Sequence, residues 1–287
     1  MLRDLPSTPT IQNTSPTDPI QELALRVVVE LPGWQLHVAG TAILIAGHLA
    51  LTAGHVLDTV VRRFGSSCEL VLYQVLPGPA YRVWNVLRAW RCPTTDIAFL
   101  HLASTARNYG ASDSLVDWKT FRLTASAPSP GETVVAFGYR EGQIRVTEGA
   151  EGVHHVELND VGTTAIGRVG HVFPERRDIA MLTFPCFEVY APFFPGMSGG
   201  FVMNGNGYVC GLICAGYIFE DKKAPPLSYA TTLWPMLATR ISADRGGKYP
   251  RGVSYPVIDL AIDGLIHVVG LEDLDSKYFP GRVPPRG

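Results

Sequence analysis

The sequence predicts an all-β protein made of two successive antiparallel β-units, and three observations carry that expectation. Glycine and proline are abundant, at 29 and 22 of 287 residues, so turns are frequent and long helices few. Short runs of β-branched and aromatic residues recur between turn signals along most of the chain. The series pauses at ASTARNYGASDSLVDW, residues 103–118, and then resumes, which divides it in two.

Taken in order, residues 1–22 are rich in Ser, Thr and Pro and read as a flexible tail that cannot offset the entropy of being ordered. The first unit, residues 23–120, holds the runs LRVVVEL, TAILIA, LALTA, ELVLYQV, YRVWNVLRAW and IAFLHL. The second unit, residues 121–241, holds FRLTA, TVVAFGY, QIRVTE, HHVEL, IAMLTF, CFEVYA, GFVMN and YVCGLICAGYI. Leu233, Leu237 and Ile241 fall at i, i+4 and i+8 behind the capping types Thr231 and Thr232, so a C-terminal helix closes the second unit. In the remaining stretch, residues 242–287, the apolar runs VIDLAI and LIHVV flank Asp263-Gly264, a strong hairpin signal. Its register sets Ile262 against Leu265, Leu260 against His267 and Ile258 against Val269, with one face mostly apolar. A two-stranded hairpin is marginal alone, so it packs on a β-unit or offers residues 253–287 to a regulatory protein partner.

Composition excludes several function classes. Lys+Arg number 24 and Asp+Glu 26, a formal charge of −2, and no basic run exceeds two residues, so neither nucleic acid nor an anionic membrane surface is a partner. The stretch from Leu31 to Leu57 is uncharged, but Pro32, four glycines and the histidines His37, His48 and His55 interrupt it, which suits buried strands better than a membrane span. The N-terminal residues show no secretory h-region, and Cys68, Cys92, Cys186, Cys210 and Cys214 fit neither a disulfide framework nor a metal-ligand spacing. The expectation is a cytoplasmic protein with free thiols, no metal and no cofactor.

The strongest chemical signal is PGMSGGFV, residues 195–202. Gly196 can bring its N–H close to a developing oxyanion, and the small residues after Ser198 leave room for a substrate carbonyl, so Ser198 is a candidate nucleophile. A base is available at TAGH, where His55 ends the run LALTA, and an acid at TTDIAFLHL, where Asp96 opens another run. A second AGH puts His48 between two strands as an exposed turn residue, and a second Asp-Ile-Ala places Asp178 in the second unit. His154 and His155 are adjacent on one strand and point to opposite faces, so they cannot share a metal. His101 and His171, like His37, have no partner pattern.

The order His55, Asp96, Ser198 in the local sequences TAGH, DIAFL and GMSGG resembles the chymotrypsin/trypsin-like serine proteases, whose motifs are TAxH, DIAxL and GxSGG. PGETVVAFGY and GLICAGY resemble further strands of that family, so the likeness runs from about residue 25 to 241. It implies two six-stranded antiparallel β-barrels with the site between them and no cofactor. Ser198 would attack, His55 would serve as base, Asp96 would hold the imidazole, and the N–H groups of Gly196 and Ser198 would bind the oxyanion. Asp178 would stand outside the triad, because the family carries no triad member there. Pro192 and Phe193 would floor the specificity pocket and Cys214, Ala215 and Gly216 would form its opposite wall; without a charge there, an apolar residue before the scissile bond is expected.

The chain also departs from the family. Met197 replaces the Asp that precedes the nucleophile in activatable members, and no Ile-Val-Gly-Gly start occurs. Val56 replaces the half-cystine of secreted members. These features resemble the bacterial, non-zymogen branch. The function expected is a serine endopeptidase acting on a dedicated intracellular partner, as bacterial defence effectors do. The alternative is a pseudoprotease, or a regulatory module that binds a peptide in the same cleft.

Overall fold

The computed structural model describes residues 9–15, 18–33, 35–65, 68–76, 80–103, 106–109, 119–148, 154–217, 226–275 and 278–279. After β1 (Thr10–Asn13) and one helical turn, α1 (Ile20–Leu23), come β2 (Ala24–Leu31), β3 (Gln35–Ala46) and β4 (Leu49–Ala53). The helix α2 (Gly54–Phe64) then leads to β5 (Glu69–Val75), β6 (Tyr81–Arg91), β7 (Ile97–Leu102) and β8 (Arg107–Tyr109). The strand order β5-β2-β3-β4-β7-β6, with β6 returning to β5, closes a six-stranded antiparallel barrel, and β8 lies on β6.

The second barrel follows β9 (Leu123–Thr124). It consists of β10 (Thr133–Glu148), β11 (His154–Phe173), β12 (Cys186–Tyr190), β13 (Phe201–Met203), β14 (Val209–Tyr217) and β15 (Leu227–Thr232). The order β13-β10-β11-β12-β15-β14 closes through the β13–β14 pairing. TVVAFGY and QIRVTE are one long strand, bent by an irregularity between Arg140 and Gln143.

Several strands of the first barrel are apolar throughout because both of their faces are buried. Ala42, Leu44, Ala50 and Leu100 face the barrel interior with Leu72 and Trp84. Their neighbours Ile43, Ile45, Leu49, Leu51 and Phe99 face outward into a shared core with Phe137, Tyr139, Phe201 and Leu212 of the second barrel. That outward core fixes the two barrels against each other and so sets the cleft between them.

Four expectations are corrected. Part of the tail is ordered: Thr10–Asn13 pairs with β11, and Thr14 Oγ1 bonds Thr164 Oγ1 at 2.8 Å. IAMLTF is a loop, with Ile179 and Met181 exposed. Residues 233–241 do not form a regular helix; a short 3₁₀ turn, Trp234–Ala238, is followed by β16 (Arg240–Ile241). Thr231 and Thr232 belong to β15, where their hydroxyls bond the Pro185 carbonyl instead of capping.

The hairpin is absent as well. After β17 (Tyr255–Pro256), Val257–Ile262 forms α3. Its buried residues Val257, Ile258, Leu260 and Ala261 have helical spacing, and Pro256 precedes the first turn. Gly264, at φ 71°, ends the helix: Leu265 N–H donates to Leu260 O at 2.8 Å and Gly264 N–H to Ala261 O at 3.1 Å. Asp-Gly therefore closes a helix in a Schellman motif, which needs the same left-handed glycine as a hairpin turn. The second run supplies only β18 (Val268–Val269), which pairs in parallel with β9. Leu260, Ile266 and Leu271 are buried in the shared core, so the segment packs on the barrels.

Candidate active site

His55 is the second residue of α2, and the local fold explains its pairing. Ala53, the residue before the helix, offers no side chain to cap the free N–H groups of the first turn. Asp96, just before β7, supplies the cap from elsewhere in the chain. Its carbonyl accepts Gly54 N–H at 3.1 Å and its Oδ1 accepts His55 N–H at 2.8 Å. The other oxygen, Oδ2, accepts the imidazole Nδ1–H of His55 at 2.6 Å. Backbone and ring of one histidine thus bind one carboxylate, which is 5% exposed, while the His55 side chain is 41% exposed to the cleft. A carboxylate at a helix N-terminus is electrostatically favoured, and with Nδ1 carrying the proton, Nε2 is left as the basic nitrogen.

Ser198 sits in a turn whose shape depends on glycine. Gly196 has φ 92° and Gly199 φ 83°, in the left-handed region that other residues enter at a cost. A Cβ on Gly199 would lie 2.2 Å from Thr41 O and 2.7 Å from Ala53 N, so the turn rests directly on the strand end that precedes His55. Thr41 anchors it, since its N–H donates to Ser198 O at 2.8 Å and its hydroxyl to Gly196 O at 3.1 Å, while accepting Tyr139 N–H at 3.0 Å. Gly199 N–H is taken by Ile213 O at 2.9 Å. Among the described residues, the N–H groups of Gly196 and Ser198 have no protein acceptor, so both are free to receive one from a ligand.

Two cavities lie in this region, one beside His55 and one against Pro195 and Gly196. One, of about 540 Å³, is lined by His55, Asp58, Arg91, Asp96, Met181, Leu182, Phe184, Cys214, Ala215 and Tyr217. The other, of about 740 Å³, is lined by Val38, Ala39, Gln143, Asn159, Phe194, Pro195 and Gly196. Cys214 and Ala215 line the first of these, on the same cavity as His55. Pro192 and Phe193 line neither cavity: both are buried, Phe193 in the core of the second barrel. Gly216 packs against Phe193, since a Cβ there would lie 2.2 Å from Phe193 O.

The decoys separate by environment. Asp178 is on an exposed loop, where Oδ1 accepts the N–H groups of Met181, Ala180 and Leu182; these bonds hold its carboxyl below the usual range. His48 is a turn residue with φ 63°, but it is half-buried, with Nδ1 bonded to Ala103 O at 3.0 Å, and burial lowers its pKa. Burial also lowers that of His101. His171 pairs with Glu188 at 3.0 Å, and the His37 ring lies tilted beside Phe64, 5.0 Å between centroids. The side chains of His154 and His155 lie outside the described residues. All five cysteines are free, with burial raising the Cys186 thiol to about 12 and Cys214 well above its ordinary value. Among the described residues no cluster could hold a metal ion, and no helix is long and apolar enough to cross a membrane.

Sequence reading missed Arg91, the 181–184 loop and Thr41 as parts of this site. The first two carry no local motif. Thr41 shows its role only through contacts with residues that are distant in sequence.

Residues 40–212 match the family model of the trypsin-like peptidase domain. No curated protein matches the chain in sequence. Among solved structures, the active form of the Rv3671c protease from M. tuberculosis is similar at 17% identity and a TM-score of 0.48, over 88% of this chain and 98% of that one. The HtrA-type protease AlgW with a tripeptide is similar at 15% identity and a TM-score of 0.46, over 74% of this chain and 56% of that one.

Proposed function

The chain belongs to the trypsin-like peptidase domain family, and from that premise we propose that it is a serine endopeptidase that acylates Ser198 and uses His55 and Asp96 as base and orienting acid. The observation that carries this reading is the double seating of Asp96 on the backbone N–H and ring Nδ1–H of His55. It leaves Nε2 to take the Ser198 proton as the hydroxyl attacks, and later to return it to the leaving amine. The free N–H groups of Gly196 and Ser198 stabilise the tetrahedral oxyanion, where preorganised donors act most strongly.

With Met197 buried before the nucleophile, no carboxylate is available there to receive a new N-terminal amine. Activation by that route is not part of the proposal. Met181, Leu182, Phe184 and Ala215 favour apolar side chains on the acyl side of the scissile bond. Five free thiols suit a reducing compartment such as the cytoplasm and a substrate protein met there.

A fluorophosphonate probe should label Ser198 in the wild type. Ser198→Ala should abolish labelling and lower peptide hydrolysis by about four orders of magnitude while leaving the melting temperature nearly unchanged. A folded wild type that neither labels nor hydrolyses a peptide library would favour the pseudoprotease instead. In that library, Leu, Phe or Met before the scissile bond should be cut faster than Lys or Arg.

A further inference from the structure

Asp96 has a third partner. Arg91, the last residue of β6, donates from Nη2 to Asp96 Oδ1 at 3.2 Å. Its Nη1 donates to the carbonyl of Thr95 at 2.6 Å and more weakly to those of Cys92 at 3.2 Å and Ile97 at 3.4 Å. The guanidinium therefore ties together the loop that carries Asp96. It lies flat on the first turn of α2, where a Cβ on Gly54 would fall 1.9 Å from its Cζ, so the residue beside His55 has no side chain and leaves the space to Arg91. Cys214, across the cavity, does not serve the carboxylate, because its thiol donates to Tyr229 O at 3.2 Å.

We propose that Arg91 is a positioning residue for the His55–Asp96 pair, holding the carboxylate in register and offsetting part of its charge. This rests on the reading of His55 as the base. An isolated carboxylate stabilises an adjacent imidazolium and raises its pKa, and a cation bonded to the same carboxylate reduces that effect. A planar fork suits the task, because one guanidinium can serve a carboxylate and several carbonyls at once. The other titratable groups around His55 do not replace it. Asp58, on α2, is exposed and meets Arg91 Nε at 3.4 Å; the Cys214 thiol stays protonated; and Tyr217 lines the far side of the cavity.

The test follows the His55 ring by NMR through a pH titration, beside the pH profile of kcat and KM, in Arg91→Gln, Arg91→Lys and Gly54→Ala. Gly54→Ala keeps the arginine but drives its guanidinium away, and it carries the test alone if Arg91→Gln does not fold. Both Arg91→Gln and Gly54→Ala should raise the His55 pKa by about half a unit or more and move the acid limb of kcat/KM upward with it. They should lower kcat several-fold with little change in KM, and Arg91→Lys should restore the acid limb while recovering only part of kcat. An unmoved His55 titration in the folded variants would overturn the proposal. A wild type without peptidase activity whose His55 still shifts as described would sink the peptidase reading and leave the role of Arg91 standing.

Discussion

The two barrels hold their halves of the cleft by different means. On the first barrel, His55 and Asp96 are fixed by side chains: a carboxylate caps a helix, a ring nitrogen bonds the same carboxylate, and Arg91 ties the loop from behind. On the second, Ser198 is held through left-handed glycines and through turn carbonyls that Thr41 of the first barrel takes up with its N–H and its hydroxyl. Side-chain chemistry can be exchanged for an isostere with little effect on the fold, whereas a strained turn cannot accept even one methyl group. The difference implies that activity and stability can be separated at the side chains of the first barrel and are coupled at the glycines of the Ser198 turn.

The sharpest test pairs Asp96→Asn with Gly199→Ala. The asparagine retains an oxygen to cap α2 but favours the wrong imidazole tautomer, so hydrolysis should fall by up to about four orders of magnitude with a small loss of stability. In Gly199→Ala a Cβ is forced against Thr41 O at φ 83°, so unfolding free energy should fall by at least about 1–3 kcal/mol together with activity. Denaturant unfolding and initial rates on the same samples would decide it, and a stable, inactive Gly199→Ala would break the contrast.

A middle-sized effect is expected outside both halves. Leu260 on α3 is fully buried in the core that both barrels share, and Leu260→Ala should cost about 2–4 kcal/mol while the folded fraction keeps the wild-type rate. Deletion of residues 253–287 should therefore unfold the protein rather than deregulate it. A truncated, well-folded enzyme with altered turnover would restore the case for this segment as a regulator.

The smallest effect concerns pH. Burial lowers the pKa of His48 and His101 in the folded state, so the unfolded chain binds protons more readily. Their contribution to stability is complete above the unfolded value of about 6.5 and is lost as pH falls through the depressed folded values. His48→Asn, which tolerates φ 63°, should flatten the decline of the melting temperature between about pH 6.5 and 5. An unchanged slope would show that neither the turn at His48 nor its burial governs acid stability.

Much of this was legible in the sequence because the motifs are local. TAGH, DIAFL and GMSGG each carry their own conformational signal, and the strands read clearly because buried runs are continuous there. VIDLAI-DG-LIHVV misled because a left-handed glycine serves a hairpin turn and a helix end equally, and only the surrounding core decides between them. The close packing of Gly216 on Phe193 was not legible, because position relative to Ser198 does not tell which strands come together there. Arg91 was invisible because its partners are backbone carbonyls and a carboxylate brought together only when β6 meets β7.

Thr41 has one more consequence, in the order of synthesis. Its N–H waits for the carbonyl of Ser198, and Gly199 in turn waits for Ile213, so the turn at Ser198 lacks that second bond until β14 has left the ribosome. The first barrel emerges much earlier, complete with its paired His55 and Asp96. A nascent chain therefore carries the His55–Asp96 pair long before the turn at Ser198 gains its long-range bonds.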